Sequence, residues 1–148
     1  PSLPAQPRVL VAGGSHHPLK AAVEELAAAL EARGQKVSVF DLARDDMAEA
    51  VEDAFRYDRL VLASITYQGE IFPFMNTFIH TLAEHAYQNR TVALVEAGSW
   101  APAAAKVMTK ELEGMKDITL AQNKVTVLGS LNDASRAQIE ALADELSK

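Results

Sequence analysis

The sequence predicts a doubly wound α/β fold, a five-stranded parallel sheet in the order 2-1-3-4-5 with helices on both faces. Three observations carry that expectation. Short runs such as Arg8-Val-Leu-Val-Ala12 and Arg59-Leu-Val-Leu-Ala-Ser64 are apolar at successive positions, as strands buried on both faces are. Segments of helical period alternate with these runs along the whole chain. Glycine and proline punctuate the joins, as at Gly13-Gly14, Gly34, Pro18, Pro73 and Pro102.

The elements follow in order. Residues 1–8, with three prolines, form an extended lead-in, and Arg8–Ala12 is the first strand. His17 to Arg33 places Leu19, Ala22, Val23, Leu26, Ala27 and Leu30 on one helical face. Pro18 suits its first turn, and Gly34 suits a left-handed cap at its end. Lys36–Phe40 is a strand, and Asp45 or Asp46 caps a helix running to about Tyr57. Arg59–Ser64 is the third strand, followed by a loop at Ile65–Glu70 and a helix from Pro73 to Tyr87. Thr91–Glu96 is the fourth strand, and its loop, Ala97–Ala101, leads to a helix opened by Pro102 and ending near Gly114. Val125–Leu128 is the last strand, and Ala134–Ser147 the last helix, capped by Asp133.

One domain over residues 1–148 accounts for this length, and 49% apolar composition supplies a core for it. No apolar run approaches the roughly 20 residues of a spanning helix, and Pro1–Arg8 offers no secretory h-region. Pro1 in place of Met suggests a processed, trimmed or excised chain. The absence of cysteine excludes disulfides, thiolate metal sites, iron–sulfur clusters and cysteine nucleophiles, and it suits a cytoplasmic setting. A formal charge of −6 argues against nucleic acid and anionic membranes as partners.

In a doubly wound sheet, ligands bind at the switch point beyond the carboxyl ends of strands one and three. Three loops converge there: Gly13–Leu19, Ile65–Glu70 and Ala97–Ala101. In the middle loop Tyr67 offers a flat face for stacking a ring, Thr66 a small polar contact, and Gly69 a close backbone approach. The other reading of Tyr67 is simple packing over the sheet end. The third loop carries the chain's one tryptophan, Trp100, beside Gly98 and Ser99, where it forms a cleft wall or serves packing. The first loop precedes a helix N-terminus, whose amides and dipole suit a phosphate. It matches neither a Walker A nor a Rossmann fingerprint. Adjacent His16 and His17, and His80 and His85 five apart, are poorly spaced for metal. The acidic residues Asp45, Asp46, Glu49, Glu52 and Asp53 form a solvated helix face, with a patch for a basic redox partner as the alternative. No residue is assigned a catalytic role.

With these loops placed, the chain resembles the flavodoxin-like domain of the A-type flavoproteins, the flavodiiron proteins. The likeness covers most of the chain and is most specific over Arg59–Trp100, in the loop "S-x-T-Y-x-G", the following "IFP-x-M" and the later "NRTVAL". The "FDL" at Phe40–Leu42 fits as well. The resemblance implies FMN at the strand ends and an electron-transfer role among oxidoreductases. It places the isoalloxazine between the loops of Tyr67 and Trp100, with Thr66, Gln68, Gly69, Ala97, Gly98 and Ser99 around it. It places the phosphate at Ser15, His16 and His17. Glu70 and Glu96, near the expected rim, would disfavour a reduced anionic flavin.

The implied partner is a redox protein or a diiron domain, and a homodimer stays open. The 148 residues leave no room for the diiron domain and lack its His/Asp/Glu ligand motif, so the chain has no diiron catalysis of its own. The phosphate loop departs from the family pattern, with Gly14, Pro18 and Leu19 where the family has hydroxyls. Each lost charge-assisted hydrogen bond costs about 1.5–3 kcal/mol, so the loss of two or three moves a tight site toward micromolar affinity or beyond. Ala97 and Ala101–Pro102 depart in the third loop. An alternative therefore stands beside the first reading: a flavodoxin-like domain without flavin, serving assembly or partner binding.

Overall fold

The computed structural model describes residues 5–14, 16–67, 70–98 and 102–148, and the side chains of Tyr67 and Glu70 are outside that description. Its strands are β1 (Gln6–Gly13), β2 (Val37–Asp41), β3 (Tyr57–Tyr67), β4 (Glu70–Ile71), β5 (Arg90–Gly98), β6 (Ile118–Leu120) and β7 (Val125–Leu128). Its helices are α1 (His17–Ala32), α2 (Met47–Arg56), α3 (Pro73–Glu84), α4 (Ala104–Leu112) and α5 (Asp133–Leu146).

The path β2-β1-β3-β5-β6 is parallel throughout, with β7 also parallel beside β5. This is the expected 2-1-3-4-5 order, with the fifth position shared by two short strands. β6 pairs the start of β5 (Arg90↔Ile118), and β7 pairs its end (Val95↔Val125). Sequence reading found only the second half, because Ile118-Thr-Leu120 is short and largely exposed. The two-residue β4 runs antiparallel to the end of β3, pairing Thr66 with Ile71.

Alternation along each strand builds two cores. Leu10, Leu60, Leu62 and Val92 face α2, α3 and α4, where they meet Phe78, Ile79 and Met108. Val9, Val11, Val61, Val95 and Val125 face the opposite way, onto Leu26 and Leu30 of α1 and Ile139 and Leu142 of α5. Both faces of the central strands are therefore apolar, which is why their sequences lack polar alternation.

Helix ends show where local chemistry decided. Gly34 takes φ +82°, the left-handed conformation expected after α1. Asp46, not Asp45, caps α2 by accepting from the Ala48 N–H at 2.9 Å. α5 is capped by Asn132, one residue before the expected Asp133. Asn132 and Ser135 exchange side-chain and backbone hydrogen bonds, each at 2.9 Å, in a capping box. α4 begins at Ala104, two residues beyond Pro102, and α3 stops at Glu84, short of Tyr87.

Among the described residues no helix is long and apolar enough to cross a membrane. None of their His, Asp and Glu side chains cluster as a metal site.

Candidate functional site

The carboxyl ends of β1 and β3 separate at the switch point and leave a crevice of about 40 Å³. Gly13, Gly14, His16 and Leu19 line it from the first loop and α1, and Ala63, Ser64 and Ile65 from β3. Leu42 and Ala43, after β2, and Phe72, Phe74 and Met75, at the start of α3, complete it. The last two groups were absent from the sequence-based site. The second of them lies in the run Ile71-Phe-Pro-Phe-Met75, which reads as a helix start and carries no ligand signal. The space holds a few water-sized groups, the scale of an anionic end group and not of a three-ring system.

Gly13 is there because the strand ends approach closely: a Cβ on it would lie 3.3 Å from the Ala63 Cβ. Gly14 is different, since a Cβ there meets nothing within 4 Å. Phe72 and Phe74 sit 5.9 Å apart, tilted by 39°, and Phe74 remains 45% exposed at the mouth.

The helices divide by how their first amides are satisfied. Side chains cap α2 and α5, as described above. α4 is capped from outside: Thr66 Oγ1 accepts from the Ala103 and Ala104 N–H groups at 2.8 and 3.2 Å. Glu96 Oε1 accepts from the Ala105 N–H at 3.0 Å. At α3 the Ser64 side chain accepts from the N–H of the N-cap residue, Phe72, at 3.2 Å. Among the described residues no side chain caps α1, and both helices carry proline in the first turn. Both helices start at the crevice. The positive dipole ends of the two and the first-turn amides of α1 favour an anion there.

The expected site residues are placed unequally. His16 and His17 are exposed at the start of α1, and His16 lines the crevice. Thr66 is half-buried with its oxygen committed to α4. Tyr67 ends β3, so the strand continues through half of the expected loop. Ala97 and Gly98 likewise remain in β5. The Ala97 side chain is packed in the core beside α1 and α5, so only its backbone can meet a ligand. A Cβ on Gly98 would lie 3.2 Å from the Pro102 Cβ, so the third loop leaves and returns at nearly one point. Ser15, Gln68, Gly69, Ser99 and Trp100 lie outside the described residues.

Glu96 corrects the sequence-based reading. It is 3% exposed and turned inward, where Oε2 accepts from Thr126 Oγ1 at 2.8 Å and faces Lys124 Nζ at 3.5 Å. Its charge is spent on α4, Thr126 and Lys124 and does not stand at the rim. Ser64 is equally internal: it is 2% exposed, donates to the Ile65 carbonyl and accepts from the Phe72 N–H. His80 meets Glu111 at 3.2 Å between α3 and α4, away from the crevice lining.

Tested against the phosphate of FMN, the first turn of α1 fits through its backbone more than its side chains. The first bond to the helix cap runs from the Lys20 N–H to the His16 carbonyl at 2.8 Å, leaving earlier amides without an intrahelical acceptor. Pro18 removes one of those donors, and Leu19 is 1% exposed in the core. Among the described residues, exposed His16 and His17 are side-chain donors beside them.

The chain has the flavodoxin-like fold, and its structural relatives share it. It superimposes on rubredoxin oxygen:oxidoreductase from the anaerobe Desulfovibrio gigas with a TM-score of 0.86 at 16% identity, covering 94% of this chain and 34% of that one. A flavodoxin from the domain Archaea matches with a TM-score of 0.82 at 16% identity, covering 95% of this chain and 96% of that one. A flavo di-iron protein of Thermotoga maritima matches with a TM-score of 0.82 at 21% identity, covering 97% of this chain and 36% of that one. The chain thus spans about a third of the two longer proteins and nearly the whole of the flavodoxin. No protein-family model matches the chain, and no curated protein matches it by sequence.

Proposed function

We propose that this chain is an FMN-binding electron-transfer domain that works with a diiron domain or another redox protein, as in the flavodiiron proteins it resembles. The observation that carries the reading is the convergence of the N-termini of α1 and α3 on one crevice at the switch point. The flavodoxin-like fold shared with the structural relatives supports the reading.

In this reading the backbone at Gly14, with Ser15, His16 and His17, holds the phosphate. Residues Thr66 to Gly69 and Ala97 to Trp100 border the ring, Tyr67 and Trp100 by stacking and the others through backbone groups. A bound flavin supplies the redox chemistry. The chain's own contribution is to bind it, orient it and exclude water from one face. Phe72 and Phe74 close the apolar side of the crevice.

One observation favours a second reading, a flavodoxin-like domain that carries no flavin and serves assembly or partner binding. The crevice is apolar apart from backbone groups, Ser64 and His16, and Leu19 fills the place of a hydroxyl.

Titration of the protein with FMN separates the two. The first reading expects flavin fluorescence to fall on binding, with an affinity in the micromolar range. Trp100→Ala should weaken binding by about tenfold, the value of one lost stacking contact, whereas His80→Ala should leave it unchanged. Unaltered FMN fluorescence at high micromolar protein selects the second reading. Equal losses in the two variants contradict the placement of the third loop.

A further inference from the structure

α4 starts without a capping residue of its own. Its N-cap position is Ala103, and the first-turn amides are filled by side chains from two different strands. Thr66, near the end of β3, accepts from two of them, and Glu96, near the end of β5, from a third. The two strands are paired directly at this level, Ser64 with Glu96 and Ile65 with Ala97. The result is a cap shared between neighbouring strands, anchored on its far side by Thr126 and Lys124.

We infer that Thr66 and Glu96 are positioning residues: by holding the first turn of α4, they set the place of Pro102, just before it, relative to the end of β3. Three features require this. The Thr66 oxygen spends both lone pairs on α4 amides, so a hydroxyl expected to contact a ligand is committed to internal work. Glu96 is buried and bound by the Ala105 amide and Thr126, with half-exposed Lys124 opposite, so its removal leaves the Ala105 amide without its acceptor. Gly98 lies against Pro102, and Pro102 is followed at once by the capped residues. Any shift of the first turn of α4 therefore carries the exit of that loop with it.

The inference touches the proposed function only in its consequence, since residues that border a ring on two loops would move as one unit. It holds for the protein with or without flavin, and its test does not depend on the ligand.

The test uses Trp100, whose indole lies in the 98–102 segment and is the chain's one tryptophan. Acrylamide quenching of its emission is measured in wild type, Thr66→Val and Thr66→Ser at matched flavin content. The valine variant should raise the quenching constant by about twofold, as expected when a loop loses its local anchor, and the serine variant should match wild type. A valine variant with wild-type quenching, or a serine variant that behaves like valine, overturns the inference. If Thr66→Val does not fold, Thr66→Ala carries the test, because it removes the acceptor of the Ala103 and Ala104 amides and adds no bulk. Increased quenching then supports the inference, and unchanged quenching overturns it. A failed FMN titration beside a positive quenching result removes the flavin reading and leaves this one standing.

Discussion

Gly14→Ser combined with Pro18→Thr is expected to tighten FMN binding by about 10- to 100-fold, the yield of one charge-assisted hydrogen bond of about 1.5–3 kcal/mol. The first loop tolerates both changes. A side chain at Gly14 meets no atom within 4 Å of its Cβ, and its φ lies outside the left-handed region. Pro18 is half-buried in the first turn of α1, where threonine restores an amide donor as well as a hydroxyl. Leu19 is left untouched, because it is 1% exposed and packs with Ala22, Val23 and Leu26. Riboflavin, which lacks the phosphate, is the control. Paired fluorescence titrations should show the gain for FMN and none for riboflavin. An equal gain for both ligands would mean that the loop does not face the phosphate.

Arg90→Ala is expected to destabilise the fold by about 3 kcal/mol, read as a fall in the urea midpoint of about 1.5 M at unchanged m. Arg90 begins β5 and donates to four carbonyls: Phe55 at 2.6 Å, Gln88 at 2.8 Å, Tyr57 at 2.9 Å and Asn89 at 3.2 Å. Its guanidinium also lies 5.6 Å from the centre of the Tyr87 ring. The need arises from chain geometry. α2 ends at Arg56 and β3 begins at Tyr57, so no loop remains to turn the last helical carbonyls toward solvent. A cation at that helix end also complements the dipole. The forked donor set explains why Arg90→Lys should recover little of the loss, since a single ammonium cannot reach carbonyls from α2, β3 and the turn before β5 together. Burial of Tyr87 raises its hydroxyl pKa, and that hydroxyl has no hydrogen-bond partner among the described residues. The ring, packed edge-on against Phe55, is therefore what holds that corner.

The sheet order was legible because punctuation and burial agreed. Doubly apolar runs could only be central strands, and Pro18, Gly34 and Pro73 marked helix ends that the fold then used. What stayed hidden has physical causes. Asn132 and Asp133 are both good caps, and the choice turned on Ser135 lying three residues after Asn132. β4 and β6 have two and three residues, too few for a period to declare itself.

The candidate site was legible by position more than by contact. The first loop and the strand ends were found, but the crevice also takes Leu42 and Phe74 from elements that carried no ligand signal of their own. Thr66 and Glu96 were read outward because residues at strand ends usually face the ligand crevice. Their partners, the first amides of α4, are 9 and 37–38 residues away in the chain, and no local pattern announces such a pairing.

The central claim is that an anionic ligand is held at the carboxyl ends of β1, β3 and β5. Amide chemical shifts of the isotope-labelled protein, followed as FMN is added, test it most directly. Gly13, Gly14, His16, His17, Leu19 and Gly98 should shift together and saturate with one affinity, while Asn89 and Asp117 at the opposite end of the sheet stay in place. Shifts confined to Asn89, Asp117 and their neighbours, or no shifts with FMN in large excess, would contradict it.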